Sequence, residues 1–193
     1  MAKLSFGMMQ SLDGYVAGPS GGPSPEGVLS AQAAAEMPPP DPSTFRHFAD
    51  HVASLDGIVY GRRMYEVMRY WDQDQPDWED NEHEFARAWR PNPKWVASRT
   101  LKSVGPNATL IQGDVVDFVR NLKSQHKGEL EVAGPEIANV LSAARLIDEY
   151  TLYLRPFVLG GGKPFFAGPL TPLRLINHEP IGEDAICLTY IPA

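Results

Sequence analysis

Two apolar periods take turns along this chain. Lys3–Gln10 mixes apolar and small residues and then meets the turn-forming cluster Ser11-Leu12-Asp13-Gly14, which predicts a first strand running into a loop. Asp41-Pro42 carries the cap and first-turn chemistry that opens a helix, and Phe45, Phe48, Ala49, Val52 and Leu55 follow at helical spacing. Gly57–Tyr60 is a short apolar run of strand type, after which Met64, Val67, Met68 and Trp71 return to the helical period. Beyond the acidic loop Asp72–Asn81 come a short helix bearing Phe85 and Trp89, a strand at Lys94–Ala97 and another at Leu110-Ile111. Asp114 caps a helix whose apolar face is Val115, Phe118, Val119 and Leu122, Leu130–Ala133 is strand again, and Pro135 opens a helix with Ile137, Val140, Leu141 and Ala144 on one face. Strands alternating with helices predict right-handed crossovers and an α/β fold with a mostly parallel central sheet. The last quarter differs: Tyr150–Val158 and Ala185–Ile191 are β-rich and are separated by Gly160-Gly161-Gly162 and several prolines, so an antiparallel C-terminal part is expected.

From Gly18 to Pro42 the chain is rich in Pro, Gly, Ser and Ala. A stretch of that length is either a lid or binding loop, or a variable insertion with no role. The total of 193 residues favours one domain over 1–193. A net charge of −7 with no compensating Lys/Arg stripe argues against nucleic acid as a partner. No apolar run approaches the roughly 20 residues of a membrane helix, and Met1–Gln10 lacks the layout of a signal peptide, so no membrane partner and a cytoplasmic location are expected. The single Cys187 lies in the apolar stretch Ile186–Leu188 and reads as inert packing.

Three expected strand-to-helix junctions have what anion binding needs: Gly61-Arg62-Arg63, Ser98-Arg99-Thr100 and Gly134-Pro135-Glu136. Ligands of open α/β sheets bind at the carboxyl ends of strands, where free helix N–H groups favour phosphate. Glycine lets the backbone approach closely, arginine adds charged donors, and Ser/Thr hydroxyls complete the shell. Three such junctions on one edge suit a dinucleotide. The familiar alternatives fail: Gly160-Gly161-Gly162-Lys163-Pro164 lacks the P-loop's upstream Gly and its Ser/Thr, and no G-x-G-x-x-G opens a helix. His47 and His51 sit four apart on the Phe45–Leu55 helix without the metal motif's glutamate, and both are expected to be solvated, so no metal is implied. Asp13 is the acid to single out, as a proton donor or substrate anchor near the strand ends. An aspartate before glycine is equally often an Asx-turn residue, and both readings stay open.

The motifs Ser11–Gly18, Gly61–Glu66, Ser98–Leu101, Val132–Glu136, Leu146–Glu149 and Pro156–Lys163, in this order, resemble the C-terminal reductase domain of the bifunctional riboflavin-biosynthesis deaminase/reductase and its stand-alone relatives. The resemblance spans almost the whole chain. It implies a dihydrofolate-reductase-like three-layer α/β/α fold and NADPH as cofactor. It further implies that the segments at Gly61, Arg62, Arg63 and at Ser98, Arg99, Thr100 serve the adenosine-phosphate half. By the same likeness Gly134, Pro135, Glu136, Ile137 and Ala138 hold the pyrophosphate, and the Leu12–Ala17 loop, with Leu12, Val16 and Ala17, lies beside the nicotinamide. The implied reaction is reduction of a phosphoribosylaminopyrimidine or a related pyrimidine- or pterin-like small molecule, in which the protein orients the cofactor and supplies a proton.

Two departures bear on substrate. The riboflavin enzymes usually carry Glu where Val132 stands, and dihydrofolate reductases carry an acid near Thr44, with Asp41 close by. The rival expectations are a dihydrofolate reductase and a non-catalytic nucleotide-binding protein. A homodimer is also expected, because relatives associate and Tyr150–Leu154 offers apolar strand surface.

Overall fold

Six parallel strands and two antiparallel ones make one sheet, ordered β5-β4-β3-β6-β1-β7-β10-β9 in the computed structural model. The structure describes residues 1–21, 41–168 and 172–193, so most of the Gly18–Pro42 loop lies outside the described residues. The strands are β1 (Lys3–Ser11), β2 (Tyr15–Ala17), β3 (Gly57–Gly61), β4 (Lys94–Ala97), β5 (Ala108–Leu110), β6 (Glu129–Ala133), β7 (Glu149–Arg155), β8 (Lys163–Pro164), β9 (Leu173–Ile181) and β10 (Ala185–Pro192). The helices are α1 (Pro42–Ser54), α2 (Arg62–Met68, running into a 3-10 turn at Arg69–Asp72), α3 (Asp80–Trp89), α4 (Val115–Gln125) and α5 (Pro135–Ala143).

The central strands are apolar on both faces because both are covered. Register sets Phe6 beside Val132, Val132 beside Val59 and Val59 beside Trp95. This row belongs to the core beneath α4 and α5, with Val119, Leu122, Ile137 and Leu141 packed on it. On the other face Ile58, Tyr60, Val96 and Ala133 meet α1, α2 and α3 through Ala49, Val52, Tyr65, Phe85 and Trp89. The result is three layers, as the alternating periods predict. Trp89 is fully buried and its indole N–H donates to the Tyr60 hydroxyl at 2.8 Å, so a large apolar group is placed without an unpaired donor. Lys94, only 2% exposed, donates to the carbonyls of Trp89, Arg90 and Asn92 and closes the C-terminus of α3; burial pushes its ammonium down to about 8.

Four expectations need correction. No helix follows β4: Ser98-Arg99-Thr100 enters a loop, and Ser98 Oγ accepts from the Thr100 and Leu101 N–H groups at 3.2 and 3.0 Å, closing a local turn. Tyr150–Leu154 offers no free strand edge, because β7 is bonded to β1 on one side and β10 on the other. The exposed apolar residues of this region lie instead on β9 and β10, at Leu175, Ile176 and Ile186. The antiparallel part also contains β9, which the pattern did not show. Finally, His47 and His51 are not a solvated pair. The His51 ring bonds Glu131 at 2.6 Å, and His47 packs edge-on to Tyr153 with centroids 5.5 Å apart. Among the described residues no helix is long and apolar enough to cross a membrane, and no group of three or more His, Cys, Asp or Glu residues is placed to hold a metal.

Candidate active site

Because the central strands are parallel, their carboxyl ends share one edge of the sheet. Ser11, Gly61, Ala97, Ala133 and Arg155 all finish there, with Gly61 paired to Ala97, Tyr60 to Ala133 and Ser11 to Arg155. The helices away from β3 and β6 are capped by carboxylates. Asp41 accepts from Ser43 N–H on α1, Asp114 accepts from Val116 and Asp117 on α4, and Glu82 reaches back to the Glu79 N–H at the start of α3. By contrast, α2 opens at Gly61 and α5 at Gly134, on neighbouring strands, and neither has a side-chain cap. Gly134 has φ +111°, and a β-carbon there would lie 3.2 Å from Met64 Cβ, so both backbone angle and space call for glycine. The Ala138 N–H already bonds the Gly134 carbonyl at 3.1 Å and Pro135 has none to give, which leaves the Glu136 and Ile137 amides open at the dipole's positive end. Side chains of Pro135, Ile137 and Ala138 are buried, so these residues have only backbone to offer at the strand edge.

Cations gather at the same edge. Arg62 Nε bonds Glu66 at 2.8 Å and its Nη1 reaches Thr100 Oγ1 at 2.7 Å, which ties the end of β3 to the loop after β4. Arg63 is largely exposed and has Glu136 at 3.8 Å, while Arg99 is exposed and makes no ion pair among the described residues. Lys163 Nζ bonds Glu136 at 2.5 Å; this lysine is a residue that sequence reasoning left out of the site. The Lys163 hydrogen bond, with help from Arg63, holds the Glu136 carboxyl below the usual range, so its charge is matched and turned aside from the open amides.

The loop after β1 is fastened to a distant segment. Leu12 N–H bonds the Phe157 carbonyl at 2.9 Å, Phe165 N–H bonds the Gly14 carbonyl at 2.9 Å, and β2 pairs with β8. Asp13 stands between them: Oδ1 accepts from Leu159 N–H at 3.1 Å and Oδ2 from Gly160 N–H at 2.7 Å. The Ser11 hydroxyl first, and these two amides next, keep its carboxyl below the usual aspartate range. A carboxylate with both oxygens engaged by backbone amides joins two loops, as a turn residue does. Of the loop residues, Leu12 is exposed and Val16 is buried in the core, so the side chains point opposite ways from one short turn. At the position of the missing glutamate, Val132 is fully buried beside Phe6 and Val59.

An open groove of about 540 Å³ lies beside the first turns of α1 and α3, lined by Pro42, Arg46, Glu79, Asp80, Asn81 and Glu84. Three carboxylates against one guanidinium disfavour phosphate there.

Comparison with known proteins agrees with this geometry. The family model for the RibD C-terminal domain matches residues 2–187. An uncharacterized Bacillus subtilis (strain 168) protein, YyaP, is 27% identical over 148 residues, which is 74% of this chain and 77% of that one. A putative riboflavin biosynthesis protein from Shewanella sp. PV-4 superposes with a TM-score of 0.70 at 25% identity, covering 100% of this chain and 99% of the other. An Enterococcus faecalis dihydrofolate reductase solved with NADP(H) shares the fold at a TM-score of 0.62 and 14% identity, covering 98% and 96% of the two chains. So does the Thermotoga maritima bifunctional pyrimidine deaminase/reductase, at 0.62 and 13%, where the chain spans 57% of the larger protein. A match over residues 2–187 shows that this chain belongs to the RibD C-terminal domain family, the reductase-like domains of riboflavin biosynthesis.

Proposed function

We propose that this protein is an NADPH-dependent reductase of a small pyrimidine- or pterin-like molecule, nearest in activity to 5-amino-6-(5-phosphoribosylamino)uracil reductase. The observation that carries the proposal is the uncapped, glycine-opened start of α5, set beside Gly61 and flanked by Arg62, Arg63, Arg99 and Lys163. Backbone amides of Glu136 and Ile137 would hold the pyrophosphate; Arg62, Arg63, Ser98, Arg99 and Thr100 would serve the adenosine 2′-phosphate end; Leu12–Ala17 would border the nicotinamide. The residues fit the group, because the start of α5 has no side-chain cap and stands beside Gly61, the start of α2, which has none either. The bound cofactor supplies the hydride, and the chain's part is to orient it and exclude water. In this reading Asp13 acts by keeping the Leu12–Ala17 loop against Leu159-Gly160, and the protein works as a homodimer joined through the exposed apolar residues of β9 and β10.

A second reading, a nucleotide-binding protein without turnover, is favoured by one feature: both carboxylate oxygens of Asp13 are engaged by backbone amides, while Val132 stands where the riboflavin enzymes carry a glutamate. The two separate by experiment. Purified protein is titrated with NADPH, and NADPH oxidation is then followed with the ribosylaminopyrimidine and with dihydrofolate. Binding with oxidation supports the reductase, binding without oxidation of either supports the second reading, and absence of binding removes both.

A further inference from the structure

The segment after β7, residues 156–168, is held on its two sides by bonds of different kinds. Toward residues 13–18 it bonds through its own main chain. Leu159 and Gly160 N–H groups donate to the Asp13 carboxylate, Phe165 N–H donates to the Gly14 carbonyl, and Lys163 pairs with Ala17 in the β2–β8 ladder. Phe165, only 1% exposed, pins this side by packing on Phe6 of β1 with ring centroids 4.4 Å apart. Toward α5 the contacts run instead through side chains one helical turn apart. Lys163 Nζ meets Glu136 Oε1 at 2.5 Å, and Asn139 Oδ1 accepts from the Ala167 N–H at 3.3 Å. Lys163 takes part on both sides, with its backbone on the loop that would border the nicotinamide and its ammonium at the start of α5.

The two sides differ in how easily they exchange. The main-chain side is a set of bonds backed by a buried ring, whereas the Lys163–Glu136 contact is one ion pair, with side chains 33% and 68% exposed. Such pairs add little to stability. Glu136 loses little when its lysine leaves, because its carboxylate is already largely hydrated and Arg63 stays 3.8 Å away. The amide of Glu136 is one of the two open N–H groups of α5, so Nζ stands one glutamate side chain from a group assigned to the pyrophosphate. A phosphate oxygen there offers Lys163 a charge-assisted bond, and the same phosphate is repelled by the Glu136 carboxylate.

We propose that Lys163 is a positioning residue that exchanges Glu136 for the pyrophosphate of the cofactor, and that this exchange, carried through the β2–β8 ladder, sets residues 13–18 beside the nicotinamide. The inference rests on the reductase reading and adds a control to its site. Glu136 competes with the phosphates for Lys163, so the two residues of one ion pair act on cofactor binding with opposite signs. The loop beside the nicotinamide is set by the phosphates at the far side of Lys163, and the nicotinamide itself is not needed for it. A pair that served only to hold the segment on α5 would give both residues the same sign, because either substitution breaks it.

The test titrates NADPH into wild type, Lys163→Met, Lys163→Arg and Glu136→Gln. It then follows backbone hydrogen exchange of residues 13–18 with 2′-phosphoadenosine 5′-diphosphoribose, which is the cofactor without its nicotinamide. Lys163→Met should weaken NADPH by about tenfold or more, and Lys163→Arg should restore most of the loss. Glu136→Gln should tighten NADPH by about two- to fivefold, the worth of one exposed ion pair. At saturation the nicotinamide-free probe should slow exchange of residues 13–18 in wild type and Glu136→Gln, and leave it unchanged in Lys163→Met. Unchanged NADPH affinity in Lys163→Met, equal or weaker NADPH binding by Glu136→Gln, or equal protection of residues 13–18 with and without Lys163 would each overturn the exchange while the reductase reading stands. Failure of wild type to bind NADPH removes the reductase reading, and the exchange with it.

Discussion

Gly162 lies against the Ala17 backbone so closely that a β-carbon on it would overlap the Ala17 carbonyl oxygen and sit 2.9 Å from Gly18 Cα. The contact joins the glycine-rich segment after β7 to the loop that would border the nicotinamide. Its φ of +121° adds a second demand for glycine. Gly162→Ala should therefore destabilise the protein by about 1–3 kcal/mol from backbone strain alone, and loosen NADPH through the displaced loop. Thermal melts and NADPH titration of the variant check it; a melting temperature equal to wild type would show that the two segments are not packed as described.

Asp13→Asn should act as a loop lesion. One carboxylate accepts from two backbone amides, whereas an asparagine has a single acceptor oxygen and would turn an NH₂ toward the other amide. Turnover should fall by less than the roughly 10²–10⁴-fold that loss of a general acid costs, and cleavage by protease in residues 157–163 should rise. A fall within that larger range at unchanged protease resistance would make Asp13 the proton donor. The folded carboxyl titrates below its unfolded value, so its contribution to stability is present above that value and lost only as pH falls through the lower one. No rate change between pH about 5 and about 8 should trace to Asp13.

His51 gives a pH dependence of opposite sign. Burial alone would lower the imidazole, but the Glu131 hydrogen bond and charge outweigh it, so the folded value lies above the ordinary one. A raised folded value means stability fully present below the unfolded value of about 6.5 and lost as pH rises through the folded one. Urea unfolding of wild type and Glu131→Gln should converge as pH rises from about 5.5 to about 9, with wild type ahead at the acid end. Parallel curves would mean that His51 is not charged in the pair.

Much of the architecture was legible because its signals are local. Ile58 and Val59, Leu130 and Val132 form short apolar runs between helical periods, and Asp41-Pro42 and Asp114 announce the caps that the structure shows. What escaped was long-range. β9 has seven exposed residues in its Arg174–Pro180 stretch and loses alternation at a bulge opposite Thr189/Tyr190, so no apolar pattern marks it. The loop after Ser98 lacks helical period, and only its arginine and hydroxyls suggested a helix start. Asp13 binds amides 146 and 147 residues away, and Lys163 reaches Glu136 across 27, distances over which periodicity carries no information. His51 looked solvated on a helical wheel because its partner, Glu131, is a charged residue on a central strand.

If this strand edge holds NADPH and reads its 2′-phosphate, Arg99 is the discriminating charge, and equilibrium titration of wild type and Arg99→Ala with NADPH and NADH decides it. Wild type should bind NADPH more tightly than NADH, and the variant should lose about 1.5–3 kcal/mol for NADPH, which is roughly 10- to 160-fold, with little change for NADH. Equal losses for the two cofactors, or no binding of NADPH by wild type, would contradict it.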